Sequence, residues 1–486
     1  MKIKEAFLEK YRSDRVLLGE WIMLGATVLF MFVAISFVDM HSLTIWSTNV
    51  LDVTFDGNIR NLYEFTAKNL HNVQHQYLGS ELFSVLPLSI WNIPIWIAQR
   101  FFGKDIMHSA VLMAWSKLFG ILLTGIMLKY THKITMLITN DRIKAMWAVF
   151  LTASSTFIYL GVYYAGQNDI IMMVPSVIGI YCLLKGSQKG FIIWSAVAIA
   201  IKPFFLFAFL AVLLLYEKNI IKAILKAAVS VSGLALQKLI FLGAPMYKES
   251  IELGPSKHML EQMFPTNLDT CFGGISFFAI ALVLILLYAY TRDFTLDDVR
   301  AGEVHIAKYV IYFVTLTNTA YLMFSPFTYY RLATLAPFLY IMMVQHKRMY
   351  FYNGILETSM AAGLLLKMGF RQNTSLFRAK SLNLSLIQRF FGYSVPIGGE
   401  EKAYTSISTW LRDNDSLLIY YTPLFSGVAV VCAALLLILN HPEEKIKTPI
   451  NGDKNCRVLL WGRILMIIPF IIFTIWLFMK APIKNY

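Results

Sequence analysis

The chain has 486 residues, of which 57% are hydrophobic and only 15% charged, with a formal net charge of +14. Many apolar runs reach spanning length, which excludes an ordinary soluble enzyme and points to one polytopic, membrane-embedded domain over 1–486. Basic residues scattered between the runs argue against nucleic acid and for anionic membrane lipid or a bound phosphate, and the four cysteines (Cys182, Cys271, Cys432, Cys456) are too dispersed for a zinc site or a disulfide framework.

In chain order, Lys2, Lys4, Lys10, Arg12 and Arg15 make residues 1–18 a cytoplasmic tail. Residues 20–38 are long and lack a small-residue cleavage site, so they read as a retained first helix that crosses outward. Residues 39–79 then form a first external loop. Read as a helix, its segment 51–68 sets Asp52, Asp56, Arg60, Glu64 and Lys68 on one face. Leu51, Phe55, Ile59 and Leu62 make the adjoining apolar face, as in a helix lying in a membrane interface. Two carboxylates one turn apart suit a general base for chemistry on a lipid-carried substrate. The same ladder also reads as a solvated face of weak ion pairs.

Residues 82–98 and 109–128 are both apolar. Arg100 and Lys104 between them, and Lys129, Lys133, Arg142 and Lys144 after them, place both flanking loops inside, which two simple spans cannot satisfy. Pro87 and Pro94 make the first a candidate for a broken, tilted or re-entrant segment. Residues 146–163 then run outward to Gly166-Gln167-Asn168-Asp169, and 170–184 return to a basic turn. The runs 191–201 and 204–216 are each short, with Lys202-Pro203 between them near the outer face. Residues 220–241 lead to a second long external loop over 242–271, which contains amphipathic stretches at 247–253 and 258–263. Residues 272–290 return, and 307–323 go out to Tyr329-Tyr330-Arg331. Residues 332–344 return, 351–368 exit, and 371–415 are a third long external loop. Residues 417–439 and 459–479 complete roughly twelve to fourteen transmembrane helices.

In this layout Asp52, Asp56, Gln167, Asp169, Lys202, His258 and Arg331 share the outer end of the bundle. Polar groups there are costly unless they line a cavity. Each has a plain alternative. Gln167 and Asp169 can be a polar turn in which Asp169 caps the next helix, or a helix start that binds an anion. Lys202 can be a snorkelling lysine at a kink, or an ammonium on a substrate phosphate. Tyr330 and Arg331 can belong to an aromatic belt, or Arg331 can grip a phosphate in two-pronged fashion. His258 is an incidental loop residue, a ligand or an acid. Lys117 and Lys238 are weaker phosphate candidates. No metal cluster stands out; Asp52 and Asp56 are compatible with a divalent cation, but the remaining oxygen ligands are not identifiable. There is no Walker loop, GxSxG elbow or dinucleotide fingerprint.

A first helix followed by an acidic external loop, then GQND after a span, Lys-Pro between two short helices and a Tyr-Arg start to a late span, resemble the GT-C superfamily. These are integral membrane glycosyltransferases that use polyprenyl-phosphate sugars. Within it the chain is most similar to the bacterial polyprenol-phosphate-mannose-dependent branch. The resemblance runs from Asp39 to about Tyr216, extends more loosely to Arg331, and hardly informs residues after 371. It implies an all-α bundle in a bacterial plasma membrane, with the N-terminus cytoplasmic. It also implies inverting transfer of a mannose-like hexose from a polyprenyl-phosphate donor to a lipid or cell-envelope glycan acceptor. The family's first-loop aspartate corresponds to Asp52 or Asp56, the GQND aspartate to Asp169 and the Lys-Pro pair to Lys202-Pro203. Lys202, Arg331 and Tyr330 would hold the donor phosphate, and Gln167, Asp169 and His258 would line the substrate. No cofactor is implied with certainty, and a divalent metal is not required. A lipid-linked oligosaccharide flippase or transporter, and a polysaccharide polymerase or ligase, are the rival readings.

Overall fold

The computed structural model describes residues 15–34, 38–68, 78, 81–104, 109–253, 263–271, 273–325, 329–346, 350–371 and 422–443, with the single residues Arg463, Ile468 and Ile472. The described chain is mostly helical. The expected residues His258, 372–415 and most of 459–479 lie outside the described residues, as does the side chain of Tyr330.

Helix α1 (Leu18–Ala34) is followed by α2 (Val38–Phe55). The last turn of α1 leaves carbonyls without intrahelical partners. The buried Lys117 ammonium takes two of them, donating to the Met31 oxygen at 2.6 Å and the Phe32 oxygen at 3.5 Å. A cation at a helix C-terminus is well matched to the helix dipole.

The acidic ladder at 51–68 does not lie on one helix. Gly57 adopts φ +72°, the left-handed conformation that ends helices, and the chain re-forms as a short 3₁₀ turn (Ile59–Asn61) and then α3 (Leu62–Lys68). Of the expected pairs, Glu64 and Lys68 remain together at 2.5 Å, whereas Arg60 donates instead to the Leu242 carbonyl at 2.7 Å.

Residues 82–102, expected to be broken, tilted or re-entrant, are bent. Helices α4 (Leu82–Trp91) and α5 (Ile93–Phe102) bend by 70° at Asn92. Pro94 lies in the first turn of α5 and has no N–H to offer the Ile90 carbonyl, so the α4 ladder cannot run on into α5. The buried Asn92 amide donates to Ser47 Oγ at 2.8 Å and Ser116 Oγ at 3.0 Å, which ties the bend to α2 and to α6 (Ala110–Thr139).

Helix α7 (Arg142–Ala153) starts on an Asp141 cap and leads, through a short turn, into a π-helical segment (Tyr159–Tyr164). Helix α8 (Asp169–Leu184) is buried on nearly all sides, as its uniformly apolar sequence requires. The short pair expected around Lys202 is α9 (Gln188–Ile201) and α10 (Phe205–Tyr216), with Lys202 extended between them. Then follow α11 (Ile220–Ile240) and α12 (Tyr247–Leu253). A two-stranded hairpin, β1 (Leu268–Thr270) with β2 (Gly273–Ile275), is a feature that the apolar patterning does not reveal. The remaining described elements are α13 (Phe277–Tyr290), α14 (Leu296–Ala301), α15 (Val304–Phe324), a 3₁₀ segment (Tyr329–Leu335), α16 (Ala336–Met343), α17 (Tyr350–Arg371) and α18 (Thr422–Leu439).

Among the described residues, three helices are long and apolar enough to cross a membrane: Val111–Thr139, Arg142–Tyr164 and Ile220–Ile240. The bent pair α4–α5 makes a fourth if counted as one span, and seven further apolar helices are shorter. Arg142–Tyr164 sits in the core, whereas α11 turns Ile221, Ile224, Leu225, Leu236 and Leu239 outward. An apolar outer face on this scale suits contact with lipid.

Candidate functional site

Four separate parts of the chain meet at the start of α8. Asp169 occupies its first turn, where a carboxylate is favoured by the helix dipole. Its side chain is 2% exposed, and its Oδ1 accepts a 2.7 Å hydrogen bond from the Lys202 ammonium. The second oxygen, Oδ2, is buried with no hydrogen-bond partner. Lys202 reaches this point because Pro203 lacks an N–H to continue α9 and leaves Lys202 extended.

The second cation comes from the 3₁₀ segment, which packs on both the π-helical segment and α8. The Arg331 guanidinium lies 4.7 Å from the Phe204 ring centre and donates to the Tyr321 hydroxyl at 3.2 Å. Phe204 and Tyr321 are themselves in ring contact at 5.3 Å, and both Asp169 and Arg331 lie within electrostatic reach of the Tyr321 hydroxyl. Arg331 thus stacks on the ring that lies two residues after Lys202 in the chain. An ammonium and a guanidinium near one turn are the groups that suit an anion such as a phosphate. Gln167 and Asn168 are also buried in the turn that leads into α8.

Gly166 opens that turn with φ +61°. A side chain there would strike the Met40 sulfur, 2.8 Å from the position of a Cβ. The start of α2 is therefore packed directly on the GQND turn. Asp39 precedes Met40 in the same helix, so its backbone stands beside the turn. The neighbouring His41 is buried, which lowers its imidazole to about 4 and keeps it neutral.

Asp52 and Asp56 sit elsewhere. Asp52 lies twelve residues along α2 from Met40, about 18 Å at the helical rise. It accepts from Trp96 Nε1 at 2.7 Å and from Arg100 at 3.1 Å, and Arg100 also meets Asp56 at 3.5 Å. Phe55 stacks on Trp96 at 4.6 Å. The two carboxylates are held by one arginine of α5 at the far end of α2. The structure thus brings Gln167, Asp169, Lys202 and Arg331 together and sets Asp52 and Asp56 in a second group. Lys117 is used as a helix cap. Lys238 lies beside Glu81, at the end of α11. No group of three or more His, Cys, Asp or Glu side chains among the described residues is arranged to hold a metal.

Sequence reasoning passed over Asp39, Phe204 and Tyr321. For Asp39 the signal was present, a carboxylate at the first polar position after the opening apolar run. For Phe204 and Tyr321 none exists, because aromatic residues inside apolar runs are indistinguishable from packing. Set against known family models, curated proteins and solved structures, the chain matches none.

Proposed function

We propose that the chain is a multi-pass membrane glycosyltransferase that moves a hexose from a polyprenyl-phosphate donor to a hydroxyl of a lipid or glycan acceptor. The observation that carries this reading is the convergence of Lys202 and Arg331 on the Asp169 turn, with the start of α2 packed against it. The acceptor oxygen attacks the anomeric carbon, its proton passes to a carboxylate, and the bond from that carbon to the phosphate oxygen breaks. The electron pair leaves on the phosphate, whose charge the two cations hold. Asp169 keeps Lys202 aimed and is a positioning residue. By position in the chain we assign the base to Asp39 rather than Asp52 or Asp56, because the start of α2 packs on the Gly166 turn that leads to Asp169.

The test is incorporation of labelled sugar from a polyprenyl-phosphate hexose into membranes containing each variant. Asp39→Asn and Lys202→Gln are expected to lower transfer by about a hundredfold or more, the usual worth of a general base or a charge-stabilising group. Asp52→Asn and Asp56→Asn are expected to stay within a few-fold of the parent. Full activity in both Asp39→Asn and Lys202→Gln sinks the proposal.

A further inference from the structure

A second polar constellation lies where the first and second long loops meet, between α3, α12, the start of α4 and the end of α11. Its centre is a cluster of three rings, with Tyr63 5.0 Å from Phe241 and 4.9 Å from Tyr247. The Tyr63 hydroxyl is buried and makes no hydrogen bond. One turn farther along α3, and so on the same face, the Thr66 hydroxyl is also buried without a partner. One turn beyond Tyr247, Ser250 Oγ repeats the pattern on α12. Glu81 accepts a hydrogen bond from the Tyr247 hydroxyl and feels the Lys238 ammonium, yet its Oε2 is buried and unbonded.

Four buried oxygens without partners in one seam are exceptional, since a buried polar group that makes no hydrogen bond is costly. Glu81 and Tyr247 are half-buried and Lys238 is exposed, while Tyr63, Thr66 and Ser250 beside them are fully buried. Aromatic faces, neutral hydroxyls and one carboxyl are the groups that recognise a sugar ring: the rings meet its C–H faces and the oxygens pair with its hydroxyls. A phosphate is disfavoured here by the carboxyl. The seam also adjoins the cationic turn. Gln237, one residue before Lys238, donates to the Ala200 carbonyl at 2.9 Å, two residues before Lys202.

We infer that the seam formed by Tyr63, Thr66, Glu81, Tyr247 and Ser250 is a binding site for a neutral sugar ring. In the transferase reading this ring belongs to the acceptor. The binding claim itself needs no donor and no turnover. Saturation-transfer NMR on the detergent-solubilised full chain, with methyl hexopyranosides at millimolar concentration, tests it. The parent is expected to transfer saturation to the sugar but not to tetrahydropyran, which has the ring without the hydroxyls. Tyr63→Phe and Glu81→Gln, which keep shape and change one polar group each, are expected to weaken the signal about tenfold, the upper end for one net hydrogen bond. Ser250→Ala serves the same purpose if either variant fails to fold. Absence of a signal in the parent, equal signals from tetrahydropyran, or an unchanged signal in the folded variants would each overturn the site and leave those oxygens to ordered water. With no polyprenyl donor present, such failure leaves the transfer proposal standing, and loss of transfer leaves this one.

Discussion

Burial holds Glu81 above the ordinary carboxylate range, with the Lys238 ammonium and the Tyr247 hydroxyl pulling the other way. Its partner hydroxyl on Tyr247 is pushed up to about 12 by burial and by the same carboxyl. A carboxyl whose folded value is raised takes up its proton earlier in the folded than in the unfolded chain. Its contribution to stability is therefore greatest at low pH and is lost as pH rises through the folded value. On acidification toward the ordinary carboxylate value of 4.5, the parent is expected to gain thermal stability from this group, and Glu81→Gln to flatten that gain. Thermal unfolding of the two proteins across that range measures the difference; parallel curves would show that Glu81 titrates normally.

Between elements, the contact that matters most to the proposed chemistry is the one joining α2 to the turn before α8. Gly166 serves it twice, through its positive φ and through the close approach of Met40. Gly166→Ala is expected to cost about 1–3 kcal/mol, from left-handed backbone strain and from overpacking together. Adding Met40→Ala should return only the packing part, so the double variant should lie between the parent and Gly166→Ala after allowance for Met40→Ala alone. A double variant no better than the sum of its singles would show that the two residues do not touch. The bend at Asn92 is a second junction of this kind. Its amide bonds α2 to α6 through Ser47 and Ser116, while Arg100, farther along α5, holds the carboxylates at the other end of α2.

Across the whole molecule, one buried ion pair fastens the late chain to the core. The Arg463 guanidinium donates to the Leu151 carbonyl and to Ser154 Oγ, both at 2.7 Å, and lies 3.4 Å from the Glu357 carboxylate. It also stands 4.5 Å from the Tyr340 ring centre, while the Tyr340 hydroxyl donates to Glu357. With both side chains at most 1% exposed, removal of one partner leaves a buried charge alone. Arg463→Met is expected to cost about 3–5 kcal/mol and to shorten the half-life at elevated temperature. Combining it with Glu357→Leu should recover much of that loss, because an apolar pair of similar volume avoids the desolvation cost. Equal half-lives for parent and Arg463→Met would refute the role of the pair.

The sequence alone determined the helical class, the positions of most apolar elements, an irregularity in the stretch that holds Pro87 and Pro94, and the pairing of short helices around Lys202-Pro203. These follow from local rules: apolar runs form helices, and proline removes a donor and stiffens the residue before it. Asp169, Lys202 and Arg331 were also legible as polar residues at expensive places. Only the tertiary structure decided which of them meet. Spacing along the chain set Asp52 through Lys68 on one helix, but Gly57 ends that helix and Arg100, from a distant segment, takes both carboxylates. It likewise gathered Phe204 and Tyr321 around Arg331, and Tyr63, Glu81 and Tyr247 into one seam. Those juxtapositions depend on how helices cross. A crossing is set by side-chain packing between segments far apart in sequence, which local periodicity does not record.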